Sequence, residues 1–234
     1  MTKYSIKHHQ IIESALKNFN ADFFCANNIV FGGGTRIALE LSEFRESIDI
    51  DFLCPNRESY RAVREQVNNV SLGELVKQDF TYLREIRADR DAVRTVIKCG
   101  GTAIKLEFVS FDNYELTSCM DPTKFPIPFL DQSSCFYTKL LANADRKLVE
   151  PHKDLFDILA MYKEWGSIPQ EAIKLAEKHY GKKVIIPSLI EALHAIIANP
   201  TEYERVAKKL MMKSDWIAEI VNEYPERLLC ELSI

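Results

Sequence analysis

Apolar and polar positions follow two rhythms along this chain, and the change of rhythm divides it. From Ile6 to Phe19, apolar Ile11, Ile12, Ala15 and Leu16 fall near helical spacing and predict an opening helix. Asn28 to Phe31 predicts a short strand running into Gly32-Gly33-Gly34, and Thr35 suits the N-cap of a helix through Leu41. Ser47 to Leu53 predicts a second strand, ended by Pro55, and Ser59 to Val70 a helix. Three β-rich runs follow: Phe80 to Arg87, Ala92 to Cys99, and Thr102 to Phe111. Asp89-Arg90-Asp91 and Gly100-Gly101 lie where tight connections are needed, so these runs predict antiparallel hairpins.

The rhythm changes at Asp121 to Pro128, where three prolines in eight residues predict a linker or an extended edge segment. Beyond Asp131 the strand signals stop. Helices are expected over Ser133–Lys147, Lys153–Trp165, Pro169–Lys178, Ser188–Ala198, Glu202–Met212 and Asp215–Leu229. Pro169 fits the first turn of its helix. The expected class is α+β: an α/β half with a mixed sheet over residues 1–128, then an all-helical half over residues 129–234.

The chemistry concentrates between Phe31 and Phe52, FGGGTRIALELSEFRESIDIDF. In an extended strand, side chains at i and i+2 share a face. Asp49 and Asp51 therefore project together, with Ile48, Ile50 and Phe52 opposite. Two carboxylates that close repel unless a cation lies between them, and such a pair suits Mg²⁺, which is held by one or two carboxylates plus substrate phosphates. The glycine turn opens a helix, whose N-terminal N–H groups suit phosphate. Each element has a plainer reading: a glycine cluster as a tight turn, an Asp-x-Asp as a solvated strand edge. Neither a P-loop nor a GxGxxG fingerprint is present. The joint arrangement (strand, Gly-Gly-Thr, short helix, Asp-x-Asp strand) is the stronger signal, because it brings both ends of the unit to one rim of a sheet.

The bulk numbers narrow the class. An apolar share of 47% and a charged share of 27% fit an ordinary globular protein. The net charge of −4 argues against a generally basic nucleic-acid coat, though not against a local basic surface. The six scattered cysteines, without CxxC pairs, read as reduced thiols. No run is long and apolar enough for a membrane span, and the charged N-terminus does not read as a signal peptide, so a cytoplasmic location is expected, without membrane contact. The histidines are scattered and read as surface or packing residues.

Gly34-Thr35 followed by Asp49-x-Asp51 resembles the Gly-Ser…Asp-x-Asp signature of polymerase-beta-like nucleotidyltransferases, with Thr in place of the common Ser. The longer string resembles the AbiEii/AbiGii-type toxin nucleotidyltransferases, typically GGTALAL…RxSxDIDF; Arg45, Ser47, Asp49, Ile50, Asp51 and Phe52 match, and Arg36 stands where that family usually carries Ala. A second block, YTKLLANADRKLVEPHKDLFDI (Tyr137 to Ile158), resembles the family's K-L-x-A…R…KDLFDL region, with Lys139, Arg146, Asp154 and Asp157 on its characteristic positions. Taken alone, Lys139 and Arg146 would read as a solvated cationic face shared with Asn143, and Asp154 and Asp157 as helix N-terminal charges. The resemblance covers residues 28–160.

It implies transfer of a nucleoside monophosphate from an NTP to a hydroxyl acceptor. Asp49 and Asp51 would bind Mg²⁺, with Mn²⁺ as the alternative. Gly33, Gly34 and Thr35 would grip phosphates, and Lys139 would neutralise the leaving pyrophosphate. Arg45 would brace the Asp49 strand or reach a phosphate, Arg146 would contact the nucleotide, and Asp154 would hydrogen-bond the nucleotide or orient Lys139. Glu107 is the candidate third acid, set against a plain Lys105–Glu107 surface pair, and Asp112 is a weaker substitute. The resemblance further implies a toxin of a toxin–antitoxin or phage-defence pair, with tRNA as acceptor and an antitoxin protein as partner. The rival readings are a nucleotidyltransferase acting on an aminoglycoside-like small molecule, mildly favoured by the acidic charge, and a non-catalytic binding protein on the same scaffold, against which the intact Asp49/Asp51 pair speaks.

Overall fold

The computed structural model describes residues 3–111 and 113–232, so Asp112 lies outside the described residues. The chain forms two compact units, one of Met1–Glu40 with Ser47–Asp131, the other of Leu41–Glu46 with Gln132–Ile234.

The first unit runs α1 (Lys7–Leu16), α2 (Ala21–Ala26), β1 (Val30–Gly32), α3 (Gly33–Glu40), β2 (Ile50–Cys54), α4 (Arg57–Gln66), a 3-10 turn (Gly73–Leu75), β3 (Thr81–Ala88), β4 (Ala92–Cys99), β5 (Thr102–Ser110), β6 (Ser118–Cys119) and β7 (Phe129–Leu130). The seven strands form one mixed sheet in the order β3-β4-β5-β2-β1-β7-β6. The β3-β4-β5 part is the antiparallel meander the turn residues predict, while β2 and β5, and β1 and β7, pair in parallel. Period-2 alternation sends one face of the sheet into the core. Phe52 stacks on Phe108 at 4.9 Å, Phe24 meets Phe52 edge-on at 4.8 Å, and Phe19 meets Phe52 edge-on at 4.7 Å. Each such buried ring is worth roughly 1.5–3 kcal/mol over exposure, so this cluster anchors the strands that carry Asp51 and Glu107.

Local chemistry sets the helix starts. Asn20 caps α2 by accepting from the Phe23 N–H at 3.2 Å, and Asn56 caps α4 by accepting from the Ser59 N–H at 2.9 Å. Helix α3 begins at Gly33, two residues before the expected cap Thr35, and Gly33 itself takes φ +70°, a left-handed turn that costs no Cβ strain only in glycine. The proline-rich stretch closes the sheet. Phe125 and Ile127 are buried, the Pro128 carbonyl accepts from the Phe31 N–H at 2.8 Å, and the chain continues into β7.

The second unit is helical: α5 (Gln132–Arg146), α6 (Lys153–Trp165), α7 (Gln170–Tyr180), α8 (Ile185–Ala198), α9 (Pro200–Lys209), α10 (Ser214–Asn222) and α11 (Tyr224–Leu232). Helix α5 packs against α6, α7 and α8. The single helix expected over 215–229 is two, since Pro225 lacks an N–H and belongs in a first turn, here that of α11. Leu41–Glu46 joins this unit. Phe44 packs on Trp216 at 5.2 Å, its carbonyl accepts from the Lys213 N–H at 2.9 Å, and the Glu46 N–H donates to the Leu210 carbonyl at 3.2 Å. All six cysteines are free thiols. No helix among the described residues is long and apolar enough to cross a membrane.

Candidate active site

Strand register builds the acidic rim in the first unit. Gly32 of β1 pairs with Asp51 of β2, and Asp51 pairs with Glu107 of β5. Ile50, Phe52, Leu106 and Phe108 are buried on the core face. Asp51 and Glu107 are half-buried on the opposite face, and Asp49, just ahead of β2, is also half-buried. Gly33 lies directly under Asp51: a Cβ there would collide with Asp51 Oδ2 and come within 3.0 Å of Asp51 Cγ. A side chain at Gly33 would therefore fill the space the carboxylate uses at the opening turn of α3.

A hydrogen-bonded brace fixes the loop before Asp49. Thr35, itself buried, donates its hydroxyl to the Asp49 carbonyl and lies 2.8 Å from the Ser47 hydroxyl. The Ser47 N–H donates to His9 Nε2 at 3.0 Å. The Thr35 hydroxyl thus engages the backbone of the aspartate loop. His9, expected from the sequence to be a surface or packing histidine, supports the same loop from α1.

Glu107 is held by two cations. Arg94 Nε donates to Oε1 at 2.8 Å and Lys105 Nζ to Oε2 at 2.6 Å; Arg94 also reaches Asp89 at 2.7 Å. Partial burial works to lower the Lys105 pKa, but the Glu107 hydrogen bond and charge, with Asp49 and Asp51 behind them, raise it on balance. Among the described residues no three His, Cys, Asp or Glu side chains gather as a ready-made metal cluster. The oxygen-only pair Asp49 and Asp51, with the space that Gly33 leaves beside Asp51, nevertheless fits a hard divalent cation that takes its remaining ligands from phosphate and water.

In the second unit, five charged side chains converge. Arg45 grips Asp157 with a two-pronged pair, Nε to Oδ1 at 2.8 Å and Nη2 to Oδ2 at 3.0 Å. Lys139 Nζ lies 2.7 Å from Asp157 Oδ2 and 2.9 Å from Asp154 Oδ1. Arg146 closes on Asp154 Oδ2 at 2.7 Å. Arg45, Lys139, Asp154 and Asp157 are buried, whereas the Arg146 side chain is 60% exposed. Burial works to lower the Lys139 pKa, yet Asp157 and Asp154 raise it on balance, so this lysine is an ammonium. Burial works to raise the Asp154 pKa, but Lys139 and Arg146 outweigh it and hold it down to about 2. Three cations against two carboxylates leave one net positive charge.

The structure thus groups Asp49, Asp51, Glu107, Gly33, Gly34 and Thr35 in the first unit and Lys139, Arg146, Asp154 and Arg45 in the second. Asp157, which taken alone reads as a helix N-terminal charge, instead holds Arg45, 112 residues away in the sequence. Arg36, in place of the usual Ala, is buried. It donates to the Leu130 carbonyl of β7 at 3.0 Å and pairs with Glu40, which Lys124 meets at 2.8 Å.

Residues 14–220 match the family described as "Nucleotidyl transferase AbiEii toxin, Type IV TA system". Among solved structures, the chain is similar to a crystal structure of a candidate nucleotidyltransferase from H. pylori, with a TM-score of 0.55 and 13% identity over 100% of this chain and 98% of that one. It is also similar to JHP933 from Helicobacter pylori, with a TM-score of 0.54 and 13% identity over 99% of this chain and 95% of that one. At such identities these likenesses speak for the fold. No curated protein matches the chain.

Proposed function

For a chain that belongs to the AbiEii nucleotidyltransferase toxin family of type IV toxin–antitoxin systems, we propose that the Asp49/Asp51 pair carries metal-dependent transfer of a nucleoside monophosphate to the hydroxyl of an RNA acceptor, with tRNA as the natural class. The observation that supports this most is the fit of Gly33 beneath Asp51, which puts the opening turn of α3, where a phosphate would find free N–H groups, beside that carboxylate.

In the reaction, the acceptor hydroxyl releases its proton to water as its oxygen bonds to the α-phosphorus of the NTP, the bond from that phosphorus to the bridging oxygen breaks, and pyrophosphate leaves with the electron pair. The Gly33 and Gly34 N–H groups bind the β- and γ-phosphates. Asp49 and Asp51 would hold the divalent metal, and Glu107 would join them as a third acid only by leaving its Arg94 and Lys105 partners; when bound, the ion would supply Lewis-acid charge for phosphate oxygens and for the acceptor hydroxyl. Thr35 and Ser47 keep the Asp49 loop in place. In the second unit, Lys139 is the cation we assign to the charge that builds on pyrophosphate as it leaves. Asp154 and Asp157 keep it protonated and aimed, and Arg45 and Arg146 orient those two carboxylates.

The acceptor is tested by incubating the protein with Mg²⁺, α-labelled NTPs and either total RNA or a panel of small hydroxyl compounds. Label in the tRNA band is the expected result. Label confined to a small hydroxyl compound would replace the RNA reading with the aminoglycoside-like one. An antitoxin, in a system of this type, would restore growth to cells that express the chain.

A further inference from the structure

On the exposed face of the sheet, a groove of about 620 Å³ is lined by Arg84, Arg87, Arg94 and Lys105, with Glu85, Thr95 and Val96. The placement of these cations depends on irregular pairing. Counting two by two from Tyr82, which pairs with buried Ile97, plain alternation would send Arg84 to the core face. A register shift between Tyr82 and Arg84 instead sets Arg84 opposite Val96. A second shift between Arg84 and Arg87 sets Arg87 opposite Arg94. Val96 and Arg94 are two apart on β4 and share the outer face, so both β3 arginines share it too. The register then continues from Arg94 to Glu107 and from Glu107 to Asp51. The row Arg87, Arg94, Glu107, Asp51 crosses four strands, about 14 Å at the usual strand spacing.

We infer that this basic stripe is the dock for the phosphate backbone of the RNA acceptor, leading it across β3, β4 and β5 toward the Asp51 rim. The inference rests on the RNA reading above and deepens it. Arg94 and Lys105 are already paired with Glu107, but among the described residues Arg84 and Arg87 make no side-chain ion pair or hydrogen bond, and both are exposed. A stripe of this length suits an extended polyanion better than a single triphosphate, whose phosphates the Gly33 turn already serves. Charges and bulges also protect edge strands from pairing, and β3 is an edge. Edge protection, however, does not require that the charges share the face that carries the acidic rim.

The test compares the wild-type protein with Arg84→Ala/Arg87→Ala and Arg84→Lys/Arg87→Lys, using α-labelled NTP and purified tRNA across a salt series. The alanine pair should raise KM for tRNA about tenfold or more with KM for NTP unchanged. Its salt dependence of log KM should be shallower by about 1.4, the slope of two phosphate contacts on single-stranded RNA. The lysine pair keeps the charges and should stay near wild type, which a merely structural role for arginine on β3 would not produce. Wild-type tRNA labelling with an unchanged KM and salt slope in the alanine pair overturns the stripe and leaves the RNA reading standing. Absence of wild-type RNA labelling, with label on a small hydroxyl compound, overturns both.

Discussion

The acidic rim of the first unit and the ion-pair cluster of the second are built on opposite electrostatic principles. The rim leaves Asp51 half-buried on a strand that aromatic packing holds from behind, with Asp49 half-buried in the loop just ahead of it. The cluster buries two carboxylates and gives each of them two cationic partners, with bonds of 2.7 to 3.0 Å. A rim of like charges favours a cation from outside and contributes little to folding. A closed network contributes through completeness: removing one member strands the others in a poorly solvating interior. The difference teaches that residues of one family signature can sit in opposite settings, half-buried carboxylates at a strand edge in one unit and a closed network around a buried lysine in the other.

The sharpest way to break this contrast is to remove Asp157, which is 0% exposed and holds both Arg45 and Lys139. Asp157→Ala should cost about 3–5 kcal/mol of stability in urea unfolding, whereas Asp51→Ala should leave stability in the absence of metal unchanged or slightly raised. Equal losses in the two variants would refute the comparison.

Next in size is the catalytic use of the cluster. Lys139→Ala should lower kcat/KM for NTP by roughly a hundredfold or more, the scale of about 2.7–4 kcal/mol seen when a donor to developing charge is lost. Lys139→Arg should recover only part of this, because a planar fork does not reproduce a point charge. Normal transfer by the alanine variant, assayed where both proteins are folded, would confine Lys139 to structure.

Acid titration gives a smaller effect of defined sign. Asp154 is held down to about 2 from an ordinary 3.8, so its contribution is present above the unfolded value and is lost as pH falls through the folded one. Stability should drop by on the order of 2 kcal/mol between about pH 4 and pH 2 from this group alone. Denaturant midpoints measured across that window should show the drop in the wild type and a flatter curve in Asp154→Asn; identical curves would remove Asp154 from the account. The smallest effect belongs to an exposed pair. Arg61 and Glu65 lie 2.9 Å apart at 80% and 61% side-chain exposure, and Arg61→Ala should shift stability by less than about 0.5 kcal/mol.

What the sequence shows depends on the range of the interaction. Strand β4, over Ala92–Cys99, is readable because its alternation is regular and its turns are marked. Asp51 is readable as a strand residue, but the strand expected over Ser47 to Leu53 starts at Ile50, so Asp49 lies in the loop ahead of it, where alternation does not set its face. Helix α2 is missed because six residues carry too little periodicity, and its start depends on one Asn20 hydrogen bond. β6 and β7 are two residues each and exist only through partners elsewhere in the sheet. The register shifts in β3 hide for the same reason, since they are set by β4 and not by β3 itself. The resemblance implies a phosphate contact at Thr35, while the partners of its hydroxyl, Ser47 and the Asp49 carbonyl, are set by the folded loop and not by the residue type.

The most direct measurement is single-turnover transfer with Mg²⁺, comparing α-labelled with γ-labelled NTP on total RNA, for the wild type and for Asp51→Ala matched in melting temperature. The account predicts label on the acceptor from the α-position only, its loss on chelation with EDTA, and no detectable transfer by the variant. Transfer by Asp51→Ala at the wild-type rate would contradict it.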